Sequence, residues 1–423
     1  MTTELLLRSG FELPDAGMAA SALPARFDGA DYWRALDAAT AELDPPFAVL
    51  ALDALRHNAS DMLRRAAGTP IRVASKSLRV RGVIEQLLAL PGYHGVLAYT
   101  LAEALWLAET VDDVVVGYPS VDRAAIRRLA TSPELAARVT LMVDSPDQLN
   151  VIDAVLKPGE RESIRVCLEL DASWNAPVLG HLGVWRSPVH SVEDTRALAG
   201  YIVARPGFEL VGMMAYEAQI AGVGNRPIGK PVDGAVNRWM QRQSVAELHE
   251  RRGAAVAAVR AIAPLQFVNG GGTGSLESTA SDPSVTEIAA GSGIFGGHLF
   301  DNYEHFAPAP AAAFALPIVR KATGDTATML GGGWVASGPP NVDRLPQLVW
   351  PEGLSYVSRE MAGEVQSPLT GEAARRLRPG DRVWLRHTKS GELAEHVNEF
   401  ALVDGDQVVG MMPSYRGEGK AFL

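Results

Sequence analysis

The chain has 423 residues, 47% of them hydrophobic and 21% charged, so it can bury a substantial core and is not a disordered tail. Its formal net charge is −10 with no run of basic residues, which argues against nucleic acid or an anionic membrane surface as a partner. The single cysteine, Cys167, excludes an internal disulfide and a multi-cysteine zinc site and suits a reducing cytoplasm.

In chain order, the N-terminal stretch MTTELLLRSGFELPDAG lacks the basic start and sustained apolar core of a signal peptide. The longest apolar stretch, Ala309 to Val319, is too short to span a bilayer, so a soluble, cytoplasmic protein is expected. Residues 1 to 45 begin irregularly and then offer a helix over Ala30 to Leu43, closed by Pro45 and Pro46. Phe47 to Leu52 reads as a strand and Asp53 to Ala67 as an amphipathic helix. From Ile71 a rhythm of short apolar strand, turn and helix sets in. The strands are Arg72 to Ser75, Gly95 to Tyr99, Asp113 to Gly117, Val139 to Val143, Ile164 to Leu170, Leu210 to Tyr216, Gln266 to Asn269 and Glu287 to Ala290. The helices between them include Val80 to Leu90, Ala102 to Ala108, Val121 to Ala130, Pro146 to Leu156, Val192 to Ala204 and Trp239 to Ile262.

Continuous apolar strands alternating with helices predict a parallel sheet covered on both faces. Eight units over roughly 220 residues fit an α/β fold of the (β/α)8 TIM-barrel type, with a doubly wound open sheet as the competing arrangement. After Phe306 the segment Ala307 to Ala313 is rich in Pro and Ala, as a linker would be. Short strands and turns follow over Phe314 to Lys321, Ala327 to Leu330, Gly331 to Gly333, Leu348 to Val349, Arg382 to Arg386, Glu399 to Val403 and Gln407 to Met412. The expected division is therefore an N-terminal segment, 1–52, that joins the β domain; a barrel, 53–306; and an antiparallel β domain, 307–423.

Chemistry concentrates at the strand ends. The strand in IRVASKSLRV, Ile71 to Val80, delivers Lys76 onto a rim of two hydroxyls, Ser75 and Ser77. An ammonium withdrawn from water must find a partner or lose its proton, and a neutral amine is a nucleophile toward carbonyls. The plain alternative is a strand that ends at the surface with its lysine in solvent. In a (β/α)8 barrel the site lies at the C-terminal strand ends, commonly with phosphate held by the loops after strands seven and eight. Here those loops are GGGTGS, Gly270 to Ser275, and GSGIFGG, Gly291 to Gly297. Consecutive glycines let backbone amides surround an anion, and Thr273 and Ser275 add hydroxyl donors. The loop is too late in the chain for a dinucleotide fingerprint and lacks the lysine of a nucleotide P-loop. In a closed barrel the first strand neighbours the eighth, which brings Lys76 and the glycine loops to one mouth.

With RVASKS, the eight-unit rhythm, NGGGTGS, AGSGIFG and the trailing β domain, the chain resembles the fold-type III pyridoxal phosphate (PLP) enzymes of the alanine racemase and D-threonine aldolase superfold. Within them it is similar to the amino acid deaminase/aldolase group, related to D-threonine aldolase and D-serine dehydratase. The resemblance implies that Lys76 carries PLP as a Schiff base and that Gly272, Thr273, Gly274, Ser275, Gly293 and Ile294 hold its phosphate. It puts His181, in GHLGVWRSP, where many members place an arginine facing the pyridine nitrogen, with Arg186 as the nearby substitute. Tyr216 and Glu217 are placed to contact cofactor or substrate.

Where D-threonine aldolases carry two histidines around the lysine, this chain has Ala74 and Leu78. Members bind a divalent metal through a histidine and a cysteine or aspartate two positions later. Here His387 is followed by Lys389, and in the other register Glu392 by Ala394, so the second ligand is missing. Glu395, His396 and Glu399 are the compensating candidates, and His387, Glu395 and His396 form the expected set for Mn²⁺, Mg²⁺ or Zn²⁺. His387 or His396 would be the base, and Arg79, Arg186 or Lys389 the partner of the substrate carboxylate.

The implied activity is retro-aldol cleavage of β-hydroxy-D-amino acids to glycine and an aldehyde. The alternatives are a D-serine/D-threonine dehydratase giving a keto acid and ammonia, a PLP-binding homeostasis protein without turnover, and a metal-dependent barrel enzyme without PLP. In this superfold the β domain often closes the partner's site, so a homodimer is expected.

Overall fold

The computed structural model describes residues 23–177, 179–389 and 391–423. The signal-peptide reading and most of the irregular start expected before residue 30 thus lie outside the described residues.

Strand β1 (Phe47–Ala51) precedes a closed barrel of eight parallel strands. These are β2 (Ile71–Ala74), β3 (Tyr93–Ala98), β4 (Val114–Val116), β5 (Val139–Val143), β6 (Ile164–Glu169), β9 (Phe208–Ala215), β10 (Phe267–Gly270) and β11 (Glu287–Ala290), with a hairpin of β7 (Trp174–Ala176) and β8 (Gly180–Leu182) inserted after β6. Closure is made by β11 against β2, with Ile288 opposite Ile71 and Ala290 opposite Val73. An open doubly wound sheet is thereby excluded.

All eight expected strands are present, and the reason is visible in β4 and β5. VVV and VTLMV are buried at every position, as β-branched and apolar residues are when helices cover one face and the barrel interior fills the other. Alternation sorts the two faces. Val115, Met142, Cys167, Val211, Met214 and Phe267 fill the barrel, while Val114, Val116, Leu141 and Val143 join the core under the helices. Beside Phe267 the interior also holds Arg72, fully buried and bridged to Glu287 (2.6 Å) and Asp113 (2.8 Å).

The second sheet has nine strands in the described residues: β1, β12 (Ala312–Lys321), β13 (Ala327–Leu330), β14 (Gln347–Trp350), β15 (Ser355–Tyr356), β16 (Gln366–Thr370), β17 (Arg382–Arg386), β18 (Glu399–Asp404) and β19 (Gln407–Pro413). β1 lies between β12, antiparallel, and β18, parallel, so the chain leaves this sheet to build the barrel and returns to it afterwards. The preceding helix Gly29–Ala39 is pinned there, with Asp37 accepting from Trp384 Nε1 (2.8 Å) and pairing with Arg382 (2.8 Å).

Three differences from expectation have local causes. Gly331 to Gly333 form no strand, because Gly331 and Gly332 take φ of +81° and +99°, outside the extended region. The helix expected from Trp239 begins at Pro231, where proline at the first turn and Asp233 mark a helix start. A short helix at Pro133–Arg138, capped by Ser132, was not expected. Among the described residues no helix is long and apolar enough to cross a membrane.

Candidate active site

A cavity of about 450 Å³ opens where the barrel strands end. Strand β2 delivers Lys76 there through a tight turn, Ser75–Ser77, in which buried Ser75 donates to the carbonyl of Leu97 on β3 (3.1 Å). Lys76 Nζ, on the cavity wall, donates to Tyr118 Oη (3.2 Å), which follows β4. The partner that a half-buried ammonium requires is thus a phenol. Burial raises the Tyr118 pKa, but the charges of Lys76 and Arg186 outweigh it and hold the hydroxyl below its usual value. Arg186 lies between two rings, 5.2 Å from the Tyr118 centroid and 4.8 Å from that of Tyr216, an arrangement that fixes a guanidinium without a carboxylate contact. Behind Lys76, Glu103 is fully buried. Its carboxyl accepts from Tyr99 N (2.7 Å) and Tyr415 Oη (2.8 Å), yet burial pushes it up to about 7.

The two glycine turns line the same cavity as this amine. Gly271 sits at φ +80°, and its amide donates to buried Glu217 (3.0 Å), which also accepts from Thr279 and lies 3.5 Å from Arg252. Thr273 Oγ1 accepts from Gly293 N (3.1 Å) and Ser292 Oγ (3.1 Å), so one hydroxyl ties the turn after β10 to the turn after β11. At Gly291 a Cβ would stand 2.5 Å from the carbonyl of Ala74, so only glycine lets this turn lie against the strand that carries Lys76. Gly272, Thr273, Gly274, Gly291 and Ser292 line the cavity with Lys76, Arg186 and Tyr216.

Other expected residues stand behind that lining. Ser275 is buried and accepts from Gly272 N (3.2 Å), Gly293 is bound to Thr273, and the Ile294 carbonyl accepts from Asn58 (2.9 Å). Glu217 braces the turn from beneath.

The chain after the barrel adds Asp343, Arg344 and Lys389 to the cavity wall, with the Lys389 backbone close to Gly297 and Gly391 close to the Lys76 carbonyl. Arg344 has Asp343 3.6 Å away, whereas the ammonium of Lys389 has neither a hydrogen-bond nor an ion-pair partner among the described residues. Burial, then the charges of Arg344 and Lys76, lower the Lys389 pKa.

Four expected positions need correction. His181 does not line the cavity: it lies on β8, stacked on exposed Trp185 with centroids 3.7 Å apart, and Arg186 takes the place facing the cavity. His387 continues the buried strand β17 into the core. Its Nδ1 lies 3.2 Å from the Ala312 carbonyl, its Nε2 has no hydrogen-bond partner among the described residues, and burial pushes its pKa down to about 3. His396 is stacked on Trp334 at 4.3 Å, and Glu395 is paired with Arg79 at 2.6 Å. None of these three lines the cavity, and no group of three or more His, Cys, Asp or Glu among the described residues is arranged to hold a metal ion. The residues present therefore do not fit a divalent metal, nor His387 or His396 as base.

Sequence reasoning missed Tyr118, Arg344 and Glu103. Tyr118 carried a signal, being the polar residue one step past a barrel strand's C-terminal end. Arg344, in an irregular Pro-rich stretch, carried none.

Residues 50–298 match the family model described as alanine racemase, N-terminal domain. A 3-hydroxy-D-aspartate aldolase of Paracoccus denitrificans is 28% identical over 257 residues, 60% of this chain and 61% of that protein. The match thus spans less than two thirds of that curated relative's length. Among solved structures, D-threonine aldolase from Filomicrobium marinum superposes with a TM-score of 0.73 at 20% identity, covering 89% of this chain and 97% of that one. D-threo-3-hydroxyaspartate dehydratase from Delftia sp. HT23 gives 0.63 at 20% identity over 88% and 97%. At such identities the structural likeness speaks for the fold alone.

Proposed function

The chain belongs to the alanine racemase N-terminal domain family, and from that premise we propose that it is a PLP-dependent lyase that cleaves β-hydroxy-D-amino acids to glycine and an aldehyde. The observation that carries the reading is that Lys76 and two glycine turns line a single cavity at the mouth of a closed barrel. The name of the aldolase relative supports the substrate class. PLP suits the cavity chemically, because one cavity holds an amine together with a turn whose backbone amides are approachable and the Thr273 and Ser292 hydroxyls. Lys76 would hold the cofactor aldehyde, and Gly272, Thr273, Gly274, Gly291 and Ser292 its phosphate. When bound, PLP supplies a sink for the electron pair of the broken bond.

The chain's own residues do the rest. Lys76 holds a proton against Tyr118 Oη, and that phenol, eased toward ionisation by two cations, is suited to accept and return it. Arg186, a guanidinium held between its two tyrosines, would oppose a second positive charge on a ring nitrogen facing it. Glu217 and Arg252 hold the Gly271 turn in shape from beneath. The β-domain wall with Lys389 and Arg344 bounds the space for the substrate side chain.

The test is a spectrum followed by product analysis. The purified protein should be yellow and lose the band in Lys76→Ala. Incubated with D-threonine and D-serine, it should release glycine and aldehyde. Keto acid and ammonia would make it a dehydratase, and cofactor without turnover a PLP carrier; either result defeats the proposal.

We place the chain in the cytoplasm, consistent with its one buried cysteine, and propose that it works as a homodimer. Exposed Trp185, Ile228, Val232 and Val236 support the dimer, since they adjoin Arg186, Pro227 and Asn237 of the cavity rim. Light scattering that finds only monomer at micromolar concentration would remove it.

A further inference from the structure

Among the described residues the cavity wall carries four cationic side chains, and the charged groups of three have a neighbouring carboxylate, hydroxyl or ring. Lys76 is bound to Tyr118, Arg186 is held between Tyr118 and Tyr216, and Arg344 has the Asp343 carboxylate 3.6 Å away, although its buried Nε has no hydrogen-bond partner among the described residues. Among the described residues only Lys389 of these four has no hydrogen-bond, ion-pair or ring contact for its charged group, and its loop packs on the barrel mouth, with Gly297 against the Lys389 backbone and Gly391 against the Lys76 carbonyl. Only its backbone is fixed, by the amide donating to Glu392 Oε1 (2.6 Å). A compact charge with three donors on a flexible stem is suited to an oxygen that gains negative charge.

We propose that the reaction needs no divalent metal and that the Lys389 ammonium is the cation that stabilises the substrate's β-oxygen. This rests on the lyase reading and deepens it. In retro-aldol cleavage the β-hydroxyl O–H bond breaks, a C=O bond forms at Cβ, and the Cα–Cβ pair stays with Cα. The proton that leaves the oxygen ends on Cα, so atoms and electrons balance without an oxidant. Negative charge grows on the β-oxygen as its proton departs, and a cation fixed beside it lowers that barrier while keeping its own protons. The residues expected to hold a metal cannot take over this task, since His387 is turned into the core, His396 onto Trp334 and Glu395 onto Arg79.

The experiment uses the PLP-loaded full-length protein. Dialysis against EDTA should leave the rate on D-threonine unchanged, and added Mn²⁺, Mg²⁺ or Zn²⁺ should not raise it. Lys389→Met should stay yellow and lose about 100-fold in kcat, with partial recovery in Lys389→Arg. D-Alanine, which has the carboxylate but no β-oxygen, should perturb the spectrum of Lys389→Met at the same concentration as in the parent. A rate lost to EDTA and restored by Mn²⁺ overturns the proposal, as does full activity in Lys389→Met. Equal weakening of D-alanine would assign Lys389 to the carboxylate and also overturn it. A parent protein that takes up no PLP and releases no aldehyde defeats the lyase reading, and this one with it.

Discussion

Glu103 gives a prediction whose sign and size both follow from its surroundings. It sits at the third position of the helix Leu101–Leu107, fully buried, with Tyr99 N on one carboxyl oxygen and the Tyr415 hydroxyl on the other. Burial is the dominant influence and raises the pKa to about 7 against the usual 4.5, in spite of hydrogen bonds from Ser75, Tyr99 and Tyr415 and the Arg79 charge. An acid that holds its proton more tightly folded than unfolded favours the folded state fully below pH 4.5. That contribution drains away as pH rises toward 7, for a total of about 3 kcal/mol. Glu103→Gln removes the ionisation and keeps the geometry: the amide oxygen accepts from Tyr99 N, and the amide nitrogen donates to Tyr415 Oη, whose hydroxyl can turn to accept. The variant should match the parent near pH 4 and exceed it by about 3 kcal/mol at pH 8. Urea unfolding at both pH values reads this directly. A difference independent of pH, or a variant weaker than the parent at pH 8, would refute burial as the governing influence.

Glu287 should behave in the opposite sense. Burial would raise its pKa, but His94 and Arg72 together with Asn269 pull the carboxyl down to about 2, so its contribution is present above about pH 4.5 and lost as pH falls toward 2. Glu287→Gln leaves Arg72 short of its main counter-ion inside the barrel and should cost about 3 to 5 kcal/mol at pH 7, a gap that narrows on acidification in urea unfolding. Thr273→Val deprives buried Gly293 N of its acceptor and cuts the tie between the two glycine turns. PLP titration of the cofactor-free protein should show binding weakened by about 1 to 3 kcal/mol, and an unchanged Kd would count against Thr273 as the link. Gly291→Ala forces a Cβ against the Ala74 carbonyl and should shift Lys76 and lower kcat. Gly200→Ala, in open space on the helix Val192–Ala204, should add about 0.4 to 1 kcal/mol of stability and leave kcat alone.

The barrel and its mouth were legible because their cause is local. A strand buried on both faces must be apolar throughout, so VVV and VTLMV announce themselves, and a lysine or a glycine run at such a strand's end is conspicuous by contrast. Which loop residue turns inward is a different kind of fact. The segment Gly180–Ser187 holds both His181 and Arg186, and the choice between them is made by a hairpin that stacks the imidazole on Trp185. Glu103 and Tyr415 stand 312 positions apart, and no periodicity in either segment announces their hydrogen bond.

The run RHTKSGELAEH shows the limit most clearly. Imidazole and carboxylate side by side suit a metal site and a solvated strand edge equally well, and β17 is buried on nearly every position, so it offers no polar face from which to tell where His387 points. Packing against Phe295 and the Ala312 carbonyl settles it, and both belong to other elements. Two residues later the same strand exit puts Lys389 on the cavity wall. The position at which the resemblance led us to expect a second metal ligand therefore carries a charge of the same sign as the metal, and the departure from the pattern is better read as a change of chemistry at the β-oxygen than as the loss of it.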